Sequence, residues 1–353
     1  MQNDLQILFP AEGELVNHSH AIRHTANSLT INVQGKAAPN AEICCGDIRI
    51  TADQNGCFEF PLTIGQIHNS IQVTCAETAL TRRFVCDFNT GKRYNFFIDD
   101  NVFFMTEIYR KKHRSIFDSF YLKFLRDMHE KYDFKVTLNM FRQNNHDREK
   151  VPFDLEVFPD TYKSEFQDNA HWLRLAFHSL SEFPDNPYGK AFPEKLPEHY
   201  ELVVSQLKRI AGDAAVISPV LMHFYEISNA DSRKFIRNQG MRIFTQPDRY
   251  WDSLQEKNGR PVLAEYNYEF DQLQIPLLFM CNLFPTDILL EKLETAYQTP
   301  GRDFLNIGTH EQYSYPFYSA YIPEHFQRIE ATLQSLEKHG FQSSFFTESL
   351  LQN

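Results

Sequence analysis

Asp99 and Asp100 are the residues whose types and spacing most directly indicate chemistry in this chain. They close the apolar segment 94–98, which has the length and β-rich composition of a buried strand. Side chains alternate along a strand, so two adjacent acids at its end are not expected to reach solvent on one face. If both acids lie in one pocket, their charges repel and their pKa values move apart, unless a metal or a base takes up the charge. The alternative interpretation is a polar turn, where Asp is common.

Imidazoles also lie at other predicted strand ends. His178 follows the apolar segment 172–177, His223 lies near the end of a predicted strand, and His310 follows another at Thr309. In folds that alternate strands and helices, functional groups collect at the carboxyl ends of the strands. Several such groups on separate strands therefore favour one shared site over isolated structural histidines.

His178 and Glu182 are four residues apart. On a helical turn this spacing places both side chains on one face, where they could chelate one divalent cation. The alternative is an exposed helix start without a ligand.

Elements able to position these groups are predicted from residue 93 onward. Repeated strand-then-helix units indicate parallel strands with crossover helices, and roughly 260 residues suit a barrel-like α/β domain. Helices are predicted at 115–132, 197–210, 232–239, 286–297 and 323–339, and strands at 134–141, 172–177, 214–224, 241–244, 277–280, 304–307 and 341–346.

The first 90 residues have a different pattern. Short alternating segments are separated by turn residues, which predicts a small all-β sandwich with strands at 29–34, 48–51, 57–62, 70–75 and 83–88. Segments 33–43 and 51–60 resemble bacterial immunoglobulin-like accessory domains, which implies an Ig-like sandwich. We therefore expect two domains, 1–90 and 91–353, with the boundary around residues 89–92.

Composition limits the classes of function. The chain has 353 residues, is 42% hydrophobic and carries a net charge of −11. This charge argues against nucleic acid or an anionic membrane surface as a partner. The first ten residues lack a signal-like pattern, and no segment approaches a membrane span, so a cytoplasmic location is expected. Five of the six cysteines lie in the first quarter and are interpreted as reduced thiols, with a secreted disulfide framework as the alternative.

Several motifs together resemble a known family. They are the Asp-Asp pair at 99–100, His-Ser-x-x-Glu at 178–182, the longer segments 163–179 and 309–315, and the late His310. In order and spacing, residues 93–350 resemble the polysaccharide deacetylase superfamily of metal-dependent carbohydrate esterases, in an uncharacterised bacterial branch. This resemblance implies an α/β fold with a distorted (β/α) barrel of the glycoside hydrolase and deacetylase type.

The resemblance also implies roles for single residues. Asp99 matches the general base, Asp100 and His178 match metal ligands, and His310 matches the general acid. Glu182 stands where relatives have a second ligand histidine, which makes the donor set harder and more anionic. The implied cofactor is a divalent metal, with zinc first and cobalt, manganese or nickel as alternatives.

The family commonly presents an arginine that steadies the base. Arg233, Arg242 and Arg249 are the candidates in this sequence.

The expected activity is metal-dependent removal of acetyl or other acyl groups from an N-acetylated carbohydrate. One alternative is a carbohydrate-binding protein of weak or no activity on the same scaffold. Another is a glycoside hydrolase that pairs Asp99 or Asp100 with Glu182 or Glu311. The first function requires a bound metal, the second can do without one, and the third persists when chelators are added.

Overall fold

The computed structural model describes residues 5–146, 153–225, 227, 229–246, 256–257 and 260–351. Within these ranges, no helix combines the length and apolarity needed to cross a membrane. The strands are β1 (Gln6–Phe9), β2 (Leu15–Val16), β3 (Ala21–Thr25), β4 (Ser28–Lys36), β5 (Glu42–Cys45), β6 (Ile48–Thr51), β7 (Cys57–Ile64), β8 (His68–Cys75), β9 (Thr78–Cys86), β10 (Arg93–Asn101), β11 (Val136–Phe141), β12 (Gln143–Asn144), β13 (Phe153–Asp154), β14 (Leu173–Ser179), β15 (Val216–Ile217), β16 (Ile243–Gln246), β17 (Glu256–Lys257), β18 (Arg260–Pro261), β19 (Glu265–Asn267), β20 (Gln272–Pro276), β21 (Phe279–Met280), β22 (Phe304–His310) and β23 (Gln342–Ser343). The α-helices are α1 (Phe103–Lys111), α2 (Phe120–Tyr132), α3 (Lys163–Asp168), α4 (Leu196–Ala211), α5 (Ala230–Asn238), α6 (Thr286–Gln298), α7 (His325–Lys338) and α8 (Phe346–Ser349).

Two sheets form the N-terminal part. One contains β1, β4, β3 and β7, and the other has the order β2-β9-β8-β5-β6. Alternate residues of β4 are buried, as Leu29, Ile31 and Val33 show, and they share a core with Ile71 and Phe84 of the second sheet. This two-sheet core agrees with the predicted all-β segment, while its immunoglobulin type stays a prediction. All six cysteines are free thiols.

A parallel sheet organises the remainder. Its order is β15-β14-β11-β10-β22-β21, and β23 pairs with the start of β10. Central β10 is buried along its whole length, as a strand covered on both faces must be. Among the described residues the sheet is a half-barrel with edges at β15 and β21, so the distorted (β/α) barrel expected from the sequence is found only in part there.

A buried cluster joins the two parts. Glu14 forms an isolated antiparallel bridge with Glu265, beside apolar side chains from both parts of the chain. The predicted boundary near residue 90 lies between β9 and β10 and stays a prediction. We call the buried apolar side chains that join the two parts the shared cluster; they are Leu15, Val85, Ile243, Leu263, Ala264, Tyr266, Leu273, Ile275, Phe304, Phe346 and Leu350.

Helix α1 begins without a local cap. Val102 precedes it and offers no side-chain acceptor to the amide groups of the first turn, which have no partner within the helix. The carboxylate of Glu311, just after β22, accepts hydrogen bonds from the backbone N–H groups of Val102, Phe103 and Phe104 at 2.7, 2.8 and 2.6 Å. The Tyr315 hydroxyl also donates to Glu311, at 3.2 Å. Glu311 therefore fixes the start of α1 to the end of β22.

Replacing Glu311 by Gln should destabilise the fold. Burial raises the pKa of Glu311 to about 7, while the three amide bonds act in the opposite direction. A Gln side chain would aim an NH₂ group at amide donors, so we expect a loss of about 2–3 kcal/mol in the free energy of unfolding. Urea unfolding measures it, with the exposed Glu201→Gln on α4 as a control expected to stay within about 0.5 kcal/mol. Equal stability of the two variants would contradict the capping role.

Candidate active site

The Asp99–Asp100 pair departs from regular strand geometry. The pairing of β10 with β11 is irregular between Ile98 and Asn101, and Asp100 has a left-handed φ of 61°. A bulge with this backbone turns neighbouring side chains away from strict alternation. Both carboxylates therefore approach His178 of β14: its Nε2 lies 3.2 Å from Asp100 Oδ1 and 4.0 Å from Asp99 Oδ1. The alternation expected from the sequence does not hold at this position.

A second imidazole completes a cluster around Asp100. His223 Nδ1 lies 3.3 Å from Asp100 Oδ1. Ligand atoms of Asp100, His178 and His223 all lie within 4.8 Å of one another, and the three residues are 2–5% exposed. We call these three residues the Asp-His-His cluster.

The backbone around His223 is not the predicted strand. Only Val216–Ile217 of the segment 214–224 is extended, and His223 begins a short 3₁₀ turn. Phe224 and Tyr225, which follow, both have positive φ, at 62° and 63°. Such strained backbone concentrates at functional sites.

Hydrogen bonds define which imidazole nitrogens carry protons. His178 Nδ1 lies 3.3 Å from the Leu221 carbonyl and His223 Nε2 lies 3.1 Å from the Glu182 carbonyl. A carbonyl only accepts, so these nitrogens carry the hydrogens and the opposite nitrogens of neutral rings present lone pairs to Asp100. Metal-ligating histidines commonly show this arrangement.

The cluster fits a divalent cation. Asp100 Oδ1 is buried and receives no hydrogen bond of good geometry, although two imidazole nitrogens lie beside it. Two lone pairs and a carboxylate oxygen facing one point repel each other unless a positive charge lies between them. Two imidazoles with one carboxylate are also a known ligand set of catalytic zinc.

Without a metal, the charges in the cluster centre on Asp100. Burial opposes a charge on Asp100, but its contacts with His178 and His223 hold the pKa of its carboxyl well below the usual range. Burial lowers the pKa of His178, with a further contribution from His223. For His223, burial is outweighed by Asp100, and its pKa is raised. The cluster therefore holds an ionised carboxylate between His178, whose pKa is lowered, and His223, whose pKa is raised.

Glu182 is not on a helical turn with His178. Strand β14 continues to Ser179, and the Leu180 carbonyl accepts hydrogen bonds from the backbone of Arg142 and Gln143 at 3.0 and 2.9 Å. These bonds keep the backbone from coiling after β14, so the one-face chelate inferred from the four-residue spacing is wrong in its geometry.

The Glu182 carboxylate instead lies beside the cluster. It accepts a hydrogen bond from Gln312 Nε2 at 3.0 Å and lies 3.3 Å from His146 Nε2. The same Gln312 nitrogen donates to Asp100 Oδ2 at 3.0 Å. The Gln312 amide thus links the Glu182 and Asp100 carboxylates, and the Glu182 backbone carbonyl accepts a hydrogen bond from His223. Gln312 lies within the motif segment 309–315, but no role was inferred for it from the sequence, and no local signal distinguishes His146.

Asp99 has an amide partner. Asn139 Nδ2 of β11 donates to Asp99 Oδ1 at 2.7 Å. Burial and the neighbouring Asp100 charge raise the pKa of Asp99 well above its usual range, although the Asn139 bond acts in the opposite direction. A raised pKa makes a carboxylate a stronger proton acceptor than an ordinary one.

The arginines proposed to steady the base lie elsewhere or outside the described residues. Arg233 Nε donates to Gln272 at 3.2 Å, and Arg242 pairs with Asp271. Arg249 lies outside the described residues. In this structure the amide of Asn139 is the hydrogen-bond partner of Asp99.

His310 lies at the open side of the cluster. Its side chain is 25% exposed, and its Nε2 is 3.7 Å from Asp100 Oδ2. Its Nδ1 lies 3.0 Å from Asn282 Oδ1, which orients the ring. Burial lowers the pKa of His310, while Asp100 and Glu182 act in the opposite direction. The structure therefore brings together Asp99, Asp100, His178 and His310, with His223 in addition.

His325 supports the strand that carries His310. Its Nε2 lies 2.6 Å from Thr309 Oγ1 and its Nδ1 lies 2.8 Å from Ser314 Oγ. Burial lowers the pKa of His325 to about 3, with contributions from His310 and Arg328. The neutral ring thus bridges β22 and the segment that follows it.

Acid should weaken the fold through His325. The unfolded chain binds a proton there below about pH 6.5, whereas the folded protein does not until about pH 3. Its contribution to stability is complete above pH 6.5 and is lost as pH falls, by about 1.4 kcal/mol per pH unit for one proton. We expect His325→Gln to flatten the pH dependence of urea unfolding between pH 6.5 and pH 4 by about this slope. The exposed His24→Gln should retain the wild-type slope; equal slopes for both variants would contradict the assignment.

Solved structures of carbohydrate-modifying proteins are similar to the chain at low identity. One is a proposed polysaccharide deacetylase involved in O-antigen biosynthesis from Bordetella bronchiseptica, with 13% identity, a TM-score of 0.33 and coverage of 70% of this chain and 91% of that chain. Another is a carbohydrate acetylesterase from Xanthomonas citri, with 9% identity, a TM-score of 0.21 and coverage of 95% and 75%. No family model and no curated protein matches the chain. Inference of function therefore depends on the side chains of the site.

Proposed function

We propose that this protein is a metal-dependent hydrolase that removes acetyl or other acyl groups from an N-acetylated carbohydrate. The observation that carries the proposal is the buried Asp-His-His cluster, whose possible ligand atoms lie within 4.8 Å of one another, beside a second acid and a partly exposed imidazole. Asp100, His178 and His223 are the proposed ligands. Glu182, the ligand expected from the sequence, is proposed to act through its carbonyl on His223 and through Gln312 on Asp100.

Zinc is the first candidate for this donor set, and cobalt, manganese and nickel accept the same donors. A divalent metal there would polarise an acyl carbonyl and acidify a water. The three residues are buried, and backbone carbonyls hold the rings of His178 and His223. The protein therefore presents the ligands in a fixed geometry.

Asp99 is the proposed general base. It accepts a proton from the attacking water as the water oxygen bonds to the acyl carbon. Its raised pKa favours this transfer, and the Asn139 amide holds one carboxylate oxygen in place. Asp99 lies outside the Asp-His-His cluster, so its carboxylate remains available for the proton.

His310 is the proposed general acid. When the carbon–nitrogen bond breaks, the leaving amine needs a proton, and His310 Nε2 faces the cluster from its open side. The Asn282 oxygen accepts from Nδ1 and supports the protonated ring. Water and the amide are consumed, and the products are a carboxylic acid and the free amino sugar.

Replacing His310 by Ala should affect amides more than activated esters. An amine leaves poorly without a proton, whereas a nitrophenolate leaves unaided. We expect about a 10²–10⁴-fold loss in kcat for acetyl-amide hydrolysis and a smaller loss for an activated acetate ester. Equal losses on both substrates would assign the leaving-group proton to another group.

Acetate release tests the proposed function directly. Chelator-treated protein is reloaded with zinc, cobalt, manganese or nickel and given acetylated chito-oligosaccharides and an activated acetate ester. Release that needs an added metal supports the proposal. Sugar binding without acetate release under any metal would identify a carbohydrate-binding protein, and glycosidic cleavage that survives chelation would identify a glycoside hydrolase. Against the latter, Glu311 already accepts hydrogen bonds from three backbone amide groups at the start of α1.

A further inference from the structure

A cavity of about 300 Å³ lies where the N-terminal sheets meet the rest of the chain. Ile243, Tyr266 and Leu350 of the shared cluster line it, together with His68 of β8. No residue of its wall belongs to the Asp-His-His cluster or has a role in the proposed hydrolysis, so it is a separate place to look for a ligand. The other lining residues are Ser218, Gly240, Arg242, Asp271, Thr347 and Leu351.

Arg242 offers hydrogen-bond donors to this cavity. Its side chain is 55% exposed, and among the residues that the structure describes it meets a carboxylate only through Nη1, 2.5 Å from Asp271 Oδ2. A guanidinium carries five N–H donors in a planar fork, which matches the oxygens of carboxylates and phosphates. Arg242 can therefore bind an anion in the cavity while it keeps its contact with Asp271.

The wall of the cavity has a surplus of positive charge. Asp271 Oδ2 also contacts the guanidinium of Arg237 near the end of α5, and Asp271 Oδ1 accepts a hydrogen bond from the Tyr266 hydroxyl. Two guanidinium groups thus share one carboxylate, which leaves one positive charge in this group unbalanced. The whole chain carries a net charge of −11, so this local surplus runs against the average of the protein.

Two neighbouring side chains respond to that charge. Partial burial and the Arg242 charge lower the pKa of His68, so its imidazole is neutral near pH 7. Burial raises the pKa of Tyr266, while the charges of Arg242 and Arg237 act in the opposite direction. The two rings pack edge to face, with centroids 4.9 Å apart. The imidazole and the phenol therefore lie within the field of the same guanidinium groups.

Gly240 leaves room for a hydroxyl in the wall. Its φ is 94°, and a Cβ built there would lie 2.2 Å from Ser218 Oγ. A larger residue at this position would displace the Ser218 side chain. The glycine thus keeps the Ser218 hydroxyl in the wall that it shares with Arg242.

We propose that this cavity binds a small molecule that carries a phosphate group, held by the Arg242 guanidinium and the Ser218 hydroxyl. Phosphate fits better than a carboxylate, because its three free oxygens accept from donors on several sides, whereas a carboxylate offers two oxygens in one plane. Since the wall contains residues of both parts of the chain, the ligand should stabilise their contact. The inference goes beyond the proposed hydrolysis and does not depend on it.

Calorimetry with inorganic phosphate and with glucose 6-phosphate tests the site. The protein is first freed of metal with a chelator, because phosphate would otherwise bind a metal ion, and ionic strength is held constant. The Kd should rise at least about tenfold in Arg242→Gln, the scale of a hydrogen bond to a charged group. The matched control is Arg49→Gln, which removes an exposed arginine that pairs with Glu42 and should keep the wild-type Kd.

A second variant keeps the test decisive if Arg242→Gln does not fold, which circular dichroism would reveal. Ser218→Ala leaves the charges in place and should raise the Kd about threefold to tenfold. Tighter binding of the ester than of inorganic phosphate supports a phosphorylated metabolite as the ligand, and equal binding supports free phosphate. The inference is overturned if the wild type binds neither compound, or if the Kd is unchanged in every folded variant of the wall.

Discussion

Replacing Asp99 by Asn is expected to lower kcat for acetate release by about 10²–10⁴-fold, because the proposed base loses its ability to accept a proton. The amide oxygen of Asn can still accept the bond from Asn139, so the local fold should persist. Zinc affinity should change much less, since Asp99 lies outside the Asp-His-His cluster. The measurement is acetate release from acetylated chito-oligosaccharides under saturating metal.

The partly exposed Asp127→Asn on α2 serves as the charge-matched control and should keep the wild-type rate. Wild-type activity in the Asp99 variant would mean that another group takes the proton from water. A large loss of bound zinc in that variant would instead make Asp99 a ligand.

Replacing His223 by Ala should lower zinc affinity by more than about 100-fold, beyond the range usual for residues that only orient a ligand. Glu182→Gln should lower it by about tenfold, since Gln312 still bridges the two side chains. Competition with a chromogenic chelator measures both affinities, and circular dichroism confirms that the variants are folded. The two substitutions separate the third ligand given by the geometry from the one implied by the sequence. A larger loss of zinc affinity in Glu182→Gln than in His223→Ala would identify Glu182 as the third ligand.

The sequence predicts the sheet-forming segments of the site more readily than the orientation of its side chains. Strands β11, β14 and β22 and helices α4 and α6 overlap the predicted elements, because their apolar periodicity is local. The position of the Asp99 carboxylate is different. It depends on a bulge and on the left-handed φ of Asp100, which no propensity of an Asp-Asp pair specifies.

The start of helix α1 and the turn that brings His223 to Asp100 were not predictable for a related reason. The start of α1 is capped by Glu311, distant in sequence, while Val102 provides no local signal. His223 lies in a turn with positive φ values, and the carbonyl that directs its ring belongs to Glu182. Each feature depends on a partner far along the chain, and a single sequence does not reveal such partners.

The shared cluster has a consequence for how the molecule assembles. It joins Leu15 and Val85 to Phe346 and Leu350, so residues from opposite ends of the described chain must meet before it closes. Contacts of such long range slow folding, because loop-closure entropy is lost before the contacts form. Among the described residues, the buried core of the N-terminal sheets runs from Leu5 to Cys86, so those sheets can form first. Until the late segments dock, the apolar surfaces of Leu15 and Val85 remain uncovered, and association with other chains competes with folding.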